Sequence, residues 1–132
     1  MKRFILSVIF SLFSSLSFSK DLTGVWELVS GNYVDGSGKL VNYKDLDLKA
    51  LKVISDSHFS FTSMKGDVFW ASGTGSYELS EGQYIETLRY NSFGEPAGTT
   101  FAFTTKIEES LWFNERWKDG ERVEYEVWQR LE

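Results

Sequence analysis

The chain has no cysteine, one histidine and one proline among its 132 residues. Without cysteine there is no disulfide scaffold, no thiol nucleophile, no thiolate-bound zinc or iron–sulfur cluster and no lipid-anchored N-terminal cysteine. A lone histidine excludes a multi-histidine metal site built from this chain alone. Basic residues are also scarce, since 14 Lys and Arg face 19 Asp and Glu for a formal charge of −5. That balance argues against nucleic acid as the main partner, because phosphate neutralisation needs clustered Lys and Arg. What is plentiful is aromatic: 17% of the residues, as 11 Phe, 6 Tyr and 5 Trp. The length suits one domain around one core.

Residues 1–19, MKRFILSVIFSLFSSLSFS, read as a signal peptide. Lys2 and Arg3 form the positive end, Phe4 to Leu12 the apolar stretch, and Ser17 and Ser19 the small residues ahead of a cut before Lys20. The apolar run is interrupted by serines and falls short of the ~20 residues of a spanning helix. Removing 19 residues from 132 leaves 113 and takes the charge from −5 to −7. The expectation is a single domain over 20–132, exported to periplasm or medium, with no stable membrane anchor.

That domain shows short β-rich runs separated by glycine turns, at 24–30, 50–55, 58–63, 68–71, 74–79, 83–91, 100–107, 111–118 and 121–130. Such spacing predicts an all-β sandwich or barrel. Asp119-Gly120 carries a strong two-residue hairpin signal, and Glu81-Gly82 and Lys65-Gly66 carry weaker ones. The segment 42–49 is suited to a short helix or lid, and 31–39 to a glycine-rich loop. A bulge is expected near Ser72-Gly73. Asp35-Gly36-Ser37-Gly38 lacks the acidic spacing of a calcium loop and reads as a turn.

Turn positions predict register, and directly opposed residues share a face. A two-residue turn at Asp119-Gly120 sets Arg116 against Val123, Asn114 against Tyr125 and Trp112 against Val127. A turn at Glu108-Glu109 adds Phe101 and Phe103 to that surface. Around Glu81-Gly82, Tyr77, Leu79, Tyr84, Glu86, Leu88 and Tyr90 share another, with Gly73 and Gly75 leaving room or permitting a bend. The opposite face of the last hairpin holds Phe113, Glu115, Trp117, Arg122, Glu124 and Glu126 and reads as solvated. An interior with Glu86, Asn114 and Arg116 among rings is unusual, because charges are seldom buried unpaired. Small barrels of about eight strands hold one small ligand among such side chains.

The chain resembles the lipocalin-like, or calycin, family of small antiparallel up-and-down barrels. Gly24-Val25-Trp26 matches that family's Gly-x-Trp signature on the opening strand. Arg130, in Val127-Trp128-Gln129-Arg130, sits where the family often places an arginine over the signature tryptophan. The segments Leu22 to Ser30, Ile54 to Phe59, Gly75 to Leu79, Tyr84 to Thr87 with Tyr90, and Glu126 to Trp128 are similar to uncharacterised exported bacterial lipocalin-like domains. The resemblance implies a barrel of about 8–10 strands and export, with Trp26 and Arg130 closing one end. It implies no reaction.

The expected function is binding of a small, partly apolar molecule in the barrel interior, without chemistry, cofactor or metal. Tyr77, Tyr84, Tyr90, Phe101, Phe103, Trp112 and Tyr125 would line the site, and Glu86, Asn114 and Arg116 would anchor polar groups. Glu86 and Arg116 read equally well as a buried ion pair. A different class is an envelope interaction or inhibitor protein with a solid barrel acting through loops 31–49 and 91–99. An enzyme or haem protein would have to rely on His58, next to Asp56-Ser57, or on Glu86 as a base. No Gly-x-Ser-x-Gly elbow supports that reading.

Overall fold

A computed structural model describes residues 21–132; the leader expected over 1–19 lies outside them. Nine strands follow in order: β1 (Gly24–Val34), β2 (Leu40–Asn42), β3 (Leu48–Ile54), β4 (His58–Lys65), β5 (Val68–Ser80), β6 (Gln83–Asn91), β7 (Thr100–Glu108), β8 (Leu111–Lys118) and β9 (Glu121–Arg130). A 3₁₀ helix, Tyr43–Leu46, lies between β2 and β3. Each strand from β3 onward pairs antiparallel with the next, and β1 pairs with both β3 and β9. That last pairing closes an eight-stranded up-and-down barrel, with β2 an extra strand on the far half of β1. Closure removes the free edges that an open sheet of this width would expose.

The glycine turns at Asp119-Gly120 and Glu81-Gly82 act as expected, and the one expected at Lys65-Gly66 falls one residue later, at Gly66-Asp67. Asp119 and Gly120 both adopt positive φ, 52° and 80°, as a tight hairpin turn requires. Glu81-Gly82 sets Leu79 against Tyr84, Tyr77 against Glu86 and Gly75 against Leu88, the expected register. The β7–β8 turn falls one residue later than expected, at Glu109-Ser110, so Glu108 faces Leu111. This moves pairings by two positions and leaves the shared face unchanged. Runs 68–71 and 74–79 join into the single strand β5, and in the loop expected at 31–39 residues 31–34 extend β1, leaving the turn at residues 35–39. There the Asp35 carboxylate accepts hydrogen bonds from the backbone N–H groups of Ser37 and Lys39, which makes the segment a turn.

The main correction concerns β9. Beyond the turn, Trp117 pairs with Arg122 but Arg116 pairs with Glu124, leaving Val123 as an extra residue. One inserted residue exchanges the two faces of everything that follows. Glu124, Glu126 and Trp128 therefore point inward, while Val123, Tyr125 and Val127 fall on the other face. Similar irregularities leave Val29 extra on β1, Trp70 on β5 and Arg89 on β6. The bulge expected near Ser72-Gly73 lies instead at Trp70, and the one after Leu88 turns Tyr90 out to solvent.

The interior is layered along the barrel axis. Trp26, Ile54, Phe59, Tyr84, Ile107, Trp112 and Trp128 pack with Leu22 into a core that fills one end. The Arg130 guanidinium lies 4.3 Å from the Trp26 ring and donates to the carbonyls of Thr23 and Asp21. Trp26 Nε1 donates to the Leu22 carbonyl at 2.8 Å. These contacts tie the segment before β1 across the barrel end, where a cation over an indole face adds attraction. Above this plug the interior becomes charged and then opens.

Candidate functional site

The unfilled half of the barrel is a cavity of about 410 Å³. Its walls are apolar and aromatic, with Phe61, Phe103 and Trp128 toward the plug and Tyr33, Trp70 and Phe93 toward the mouth. Five charged side chains project into it: Lys52, Glu86, Arg116, Glu124 and Glu126. Small-molecule sites combine these properties, a concave apolar wall and a few polar groups that fix orientation.

Lys52 is the side chain at the centre of this layer and was not singled out from the sequence. It is 3% exposed and donates to Glu86 Oε1 at 2.7 Å. The Tyr84 hydroxyl donates to the same oxygen at 2.8 Å. Five rings, those of Phe59, Phe61, Tyr84, Trp112 and Trp128, surround the ammonium at 5.0–5.9 Å. Burial alone would depress the Lys52 pKa, but Glu86 and Glu126 outweigh it and hold the amine above its ordinary value. Lys52 is therefore a permanent cation. Its neighbours Leu51 and Val53 point outward, so the apolar content of LKALKVI misleads about which face is buried. The available signal lies in pairing: Lys52 sits opposite Trp26 and shares its inward face.

Glu86 and Arg116 both face the cavity, but they do not pair with each other. Arg116 Nε donates to Glu124 Oε2 at 2.9 Å, and its guanidinium stacks 5.3 Å from the Phe101 ring. Each interior cation thus has its own carboxylate: Lys52 with Glu86, Arg116 with Glu124. Glu126, assigned to the solvated face by sequence, is 7% exposed and lies outside both pairs. Its Oε1 is buried without a hydrogen-bond partner, as are Trp128 Nε1 and Asn114 Nδ2. Burial pushes the Glu126 pKa up to about 7; Lys52 and a weak contact from the Trp128 indole oppose that rise, and Glu124 and Glu86 reinforce it. Glu124 is also raised, mainly by burial and against the pull of Arg116.

The remaining expected residues divide by height. Phe103 lines the cavity, whereas Tyr84 and Trp112 belong to the plug beneath it. Asn114 is fully buried, and its Oδ1 accepts from Thr105 Oγ1, which in turn accepts from Trp112 Nε1. Tyr77 packs against the plug and donates its hydroxyl to the Ser55 carbonyl. Tyr90 is exposed on the outer surface, and Tyr125 lies outside under the Arg122 guanidinium, 4.5 Å away. His58 is exposed, with Nδ1 2.7 Å from Ser57 Oγ. Among the described residues, no group of three or more His, Cys, Asp or Glu is placed to hold a metal ion. Comparison with family models, curated proteins and solved structures gives no match.

Proposed function

We propose that this chain is an exported, lipocalin-like barrel that binds a small, partly apolar molecule inside its open half and performs no chemistry on it. One observation carries the reading: an open, ring-lined cavity of about 410 Å³ has five charged side chains on its wall, and one of them, Glu126, has no cation partner among the described residues. A buried carboxylate without a cation is costly, and a bound molecule with a matching group recovers part of that cost. The cavity volume lies within the ~300–1,000 Å³ range of small-molecule sites.

Native mass spectrometry of protein purified from its host tests the proposal. The expected spectrum contains a complex heavier than the chain by one small molecule, lost on denaturation. A spectrum of bare protein, with no saturable binding from an extract of host metabolites, would refute it. Export has its own test, cell fractionation followed by N-terminal sequencing, with Lys20 expected as the first residue. The alternative of an envelope interaction or inhibitor protein draws support from the half-exposed rings of Phe69, Trp70 and Phe93. Under that reading a protein partner, and no small molecule, is retained.

A further inference from the structure

When every group is ionised, the charges inside the cavity do not balance. Three carboxylates, Glu86, Glu124 and Glu126, face two cations, Lys52 and Arg116, and each cation is bonded to one carboxylate. Glu126 is left over, with no lysine or arginine nitrogen of the described residues within 4.0 Å. The residue is more than nine-tenths buried and contributes to the cavity wall, and its Oε1 makes no well-formed hydrogen bond among the described residues, with only a weak contact from the Trp128 indole. An anionic ligand would add a fourth negative group to this site and find both cations already engaged.

The walls favour the same sign of ligand. The faces of aromatic rings are the negative pole of their quadrupole and attract ammonium groups. The protein already uses this property once, holding the Lys52 ammonium among five rings. Trp128 of that set extends onto the cavity wall beside Glu126, and Tyr33, Trp70 and Phe93 continue the aromatic lining toward the mouth. Opposite Glu126 on β1 stands Gly31, and the ring of Tyr43, another cavity-wall residue, fills the space a side chain there would take.

Resting on the reading of the cavity as a ligand site, we propose that it selects a small organic cation, a protonated amine carried on an apolar or aromatic body, whose ammonium group sits on Glu126. The ammonium gives Glu126 the cation partner it lacks and cancels the surplus negative charge. The apolar body fills the space between Trp128 and the ring-lined mouth.

Three probes with one aromatic body and different head groups test this by calorimetry on the intact protein: tryptamine, tryptophol and indole-3-propionate. The expected order is tryptamine first, by about ten- to a hundredfold over tryptophol, with indole-3-propionate weakest. Glu126→Gln should bring tryptamine down to the affinity of tryptophol while leaving tryptophol nearly unchanged. Equal or tighter binding of tryptophol or indole-3-propionate to the unmodified protein overturns the cation proposal and leaves the cavity reading standing. Absence of binding by all three, with no small molecule in the native spectrum, overturns both. The unmodified protein alone decides between these outcomes, so the test survives a Glu126→Gln variant that fails to fold.

Discussion

Glu126 has lost its hydration and gained no cation partner among the described residues, so it weakens the fold whenever it is ionised. Its pKa rises from 4.5 in the open chain to about 7 in the barrel, chiefly through burial. A raised carboxyl pKa means that the folded state holds the proton more tightly. This contribution to stability is fully present below pH 4.5 and is lost as pH rises through 7, about 3 kcal/mol in all. Glu124 is shifted in the same direction and adds to the slope. Urea unfolding at pH 5 and pH 8 should therefore show a lower midpoint at pH 8, and Glu126→Gln should flatten most of the difference. Lys52, by contrast, is a buried charge with a partner. Lys52→Met strands Glu86 and Tyr84 around an unpaired buried charge and should destabilise by about 3–5 kcal/mol. Adding Glu86→Gln to Lys52→Met should recover a large part of that loss, measured by the same unfolding curves. From sequence, Glu86, Phe103 and Arg116 were legible as inward because tight turns fix their register. Lys52 was not, since apolar Leu51 and Val53 flank it and only its pairing with Trp26 reveals its direction.

At the level of the strand, the bulges determine which residues form the site. The hairpin turn at Asp119-Gly120 was readable from two residues, but the extra Val123 four positions on has no local sequence signature. A bulge is set by how the barrel must bend, which is a property of all its strands together. That single residue converts Glu124 and Glu126 from solvated charges into cavity walls and sends Tyr125 outside. The consequence is testable by deletion. Removing Val123 brings Glu124 next to Arg122 and restores regular alternation without turning any residue beyond it, and Val123 has no pairing partner on β1. Removing Tyr125 instead makes Glu124 and Glu126 neighbours and forces one of them, with all that precedes or follows it, onto the wrong face. The Val123 deletion should unfold cooperatively at a modestly lower Tm, whereas the Tyr125 deletion should lose its near-ultraviolet dichroism and its cooperative transition. Equal damage from the two deletions would contradict the assignment of the bulge.

The whole barrel has a division of labour along its axis: a solid, ring-packed end that supplies stability and a hollow, charged end that supplies recognition. This architecture was legible in outline, because glycine turns, alternating strands and an aromatic excess already indicate a closed β-barrel. The boundary between its halves was not, because it depends on which inward side chains meet at one height. If the halves are energetically separate, substitutions in one should leave the other's property unchanged, since effects at sites more than ~7–10 Å apart with no shared partner add. Arg130→Met removes the guanidinium over Trp26 and its bonds to two carbonyls, and should cost about 2–3 kcal/mol. It should leave the affinity for the cavity ligand within about twofold, because Arg130 touches neither the charged layer nor the mouth. Trp70→Ala, at the mouth and 41% exposed, should do the reverse, lowering affinity severalfold while changing stability by less than about 1 kcal/mol. The double variant should show both losses in full, neither enlarged nor offset. Calorimetric titration and urea unfolding of the four proteins measure the two properties independently. A coupling above about 1 kcal/mol between these substitutions would mean that plug and cavity behave as one cooperative unit, so that closing one end shapes the binding site at the other.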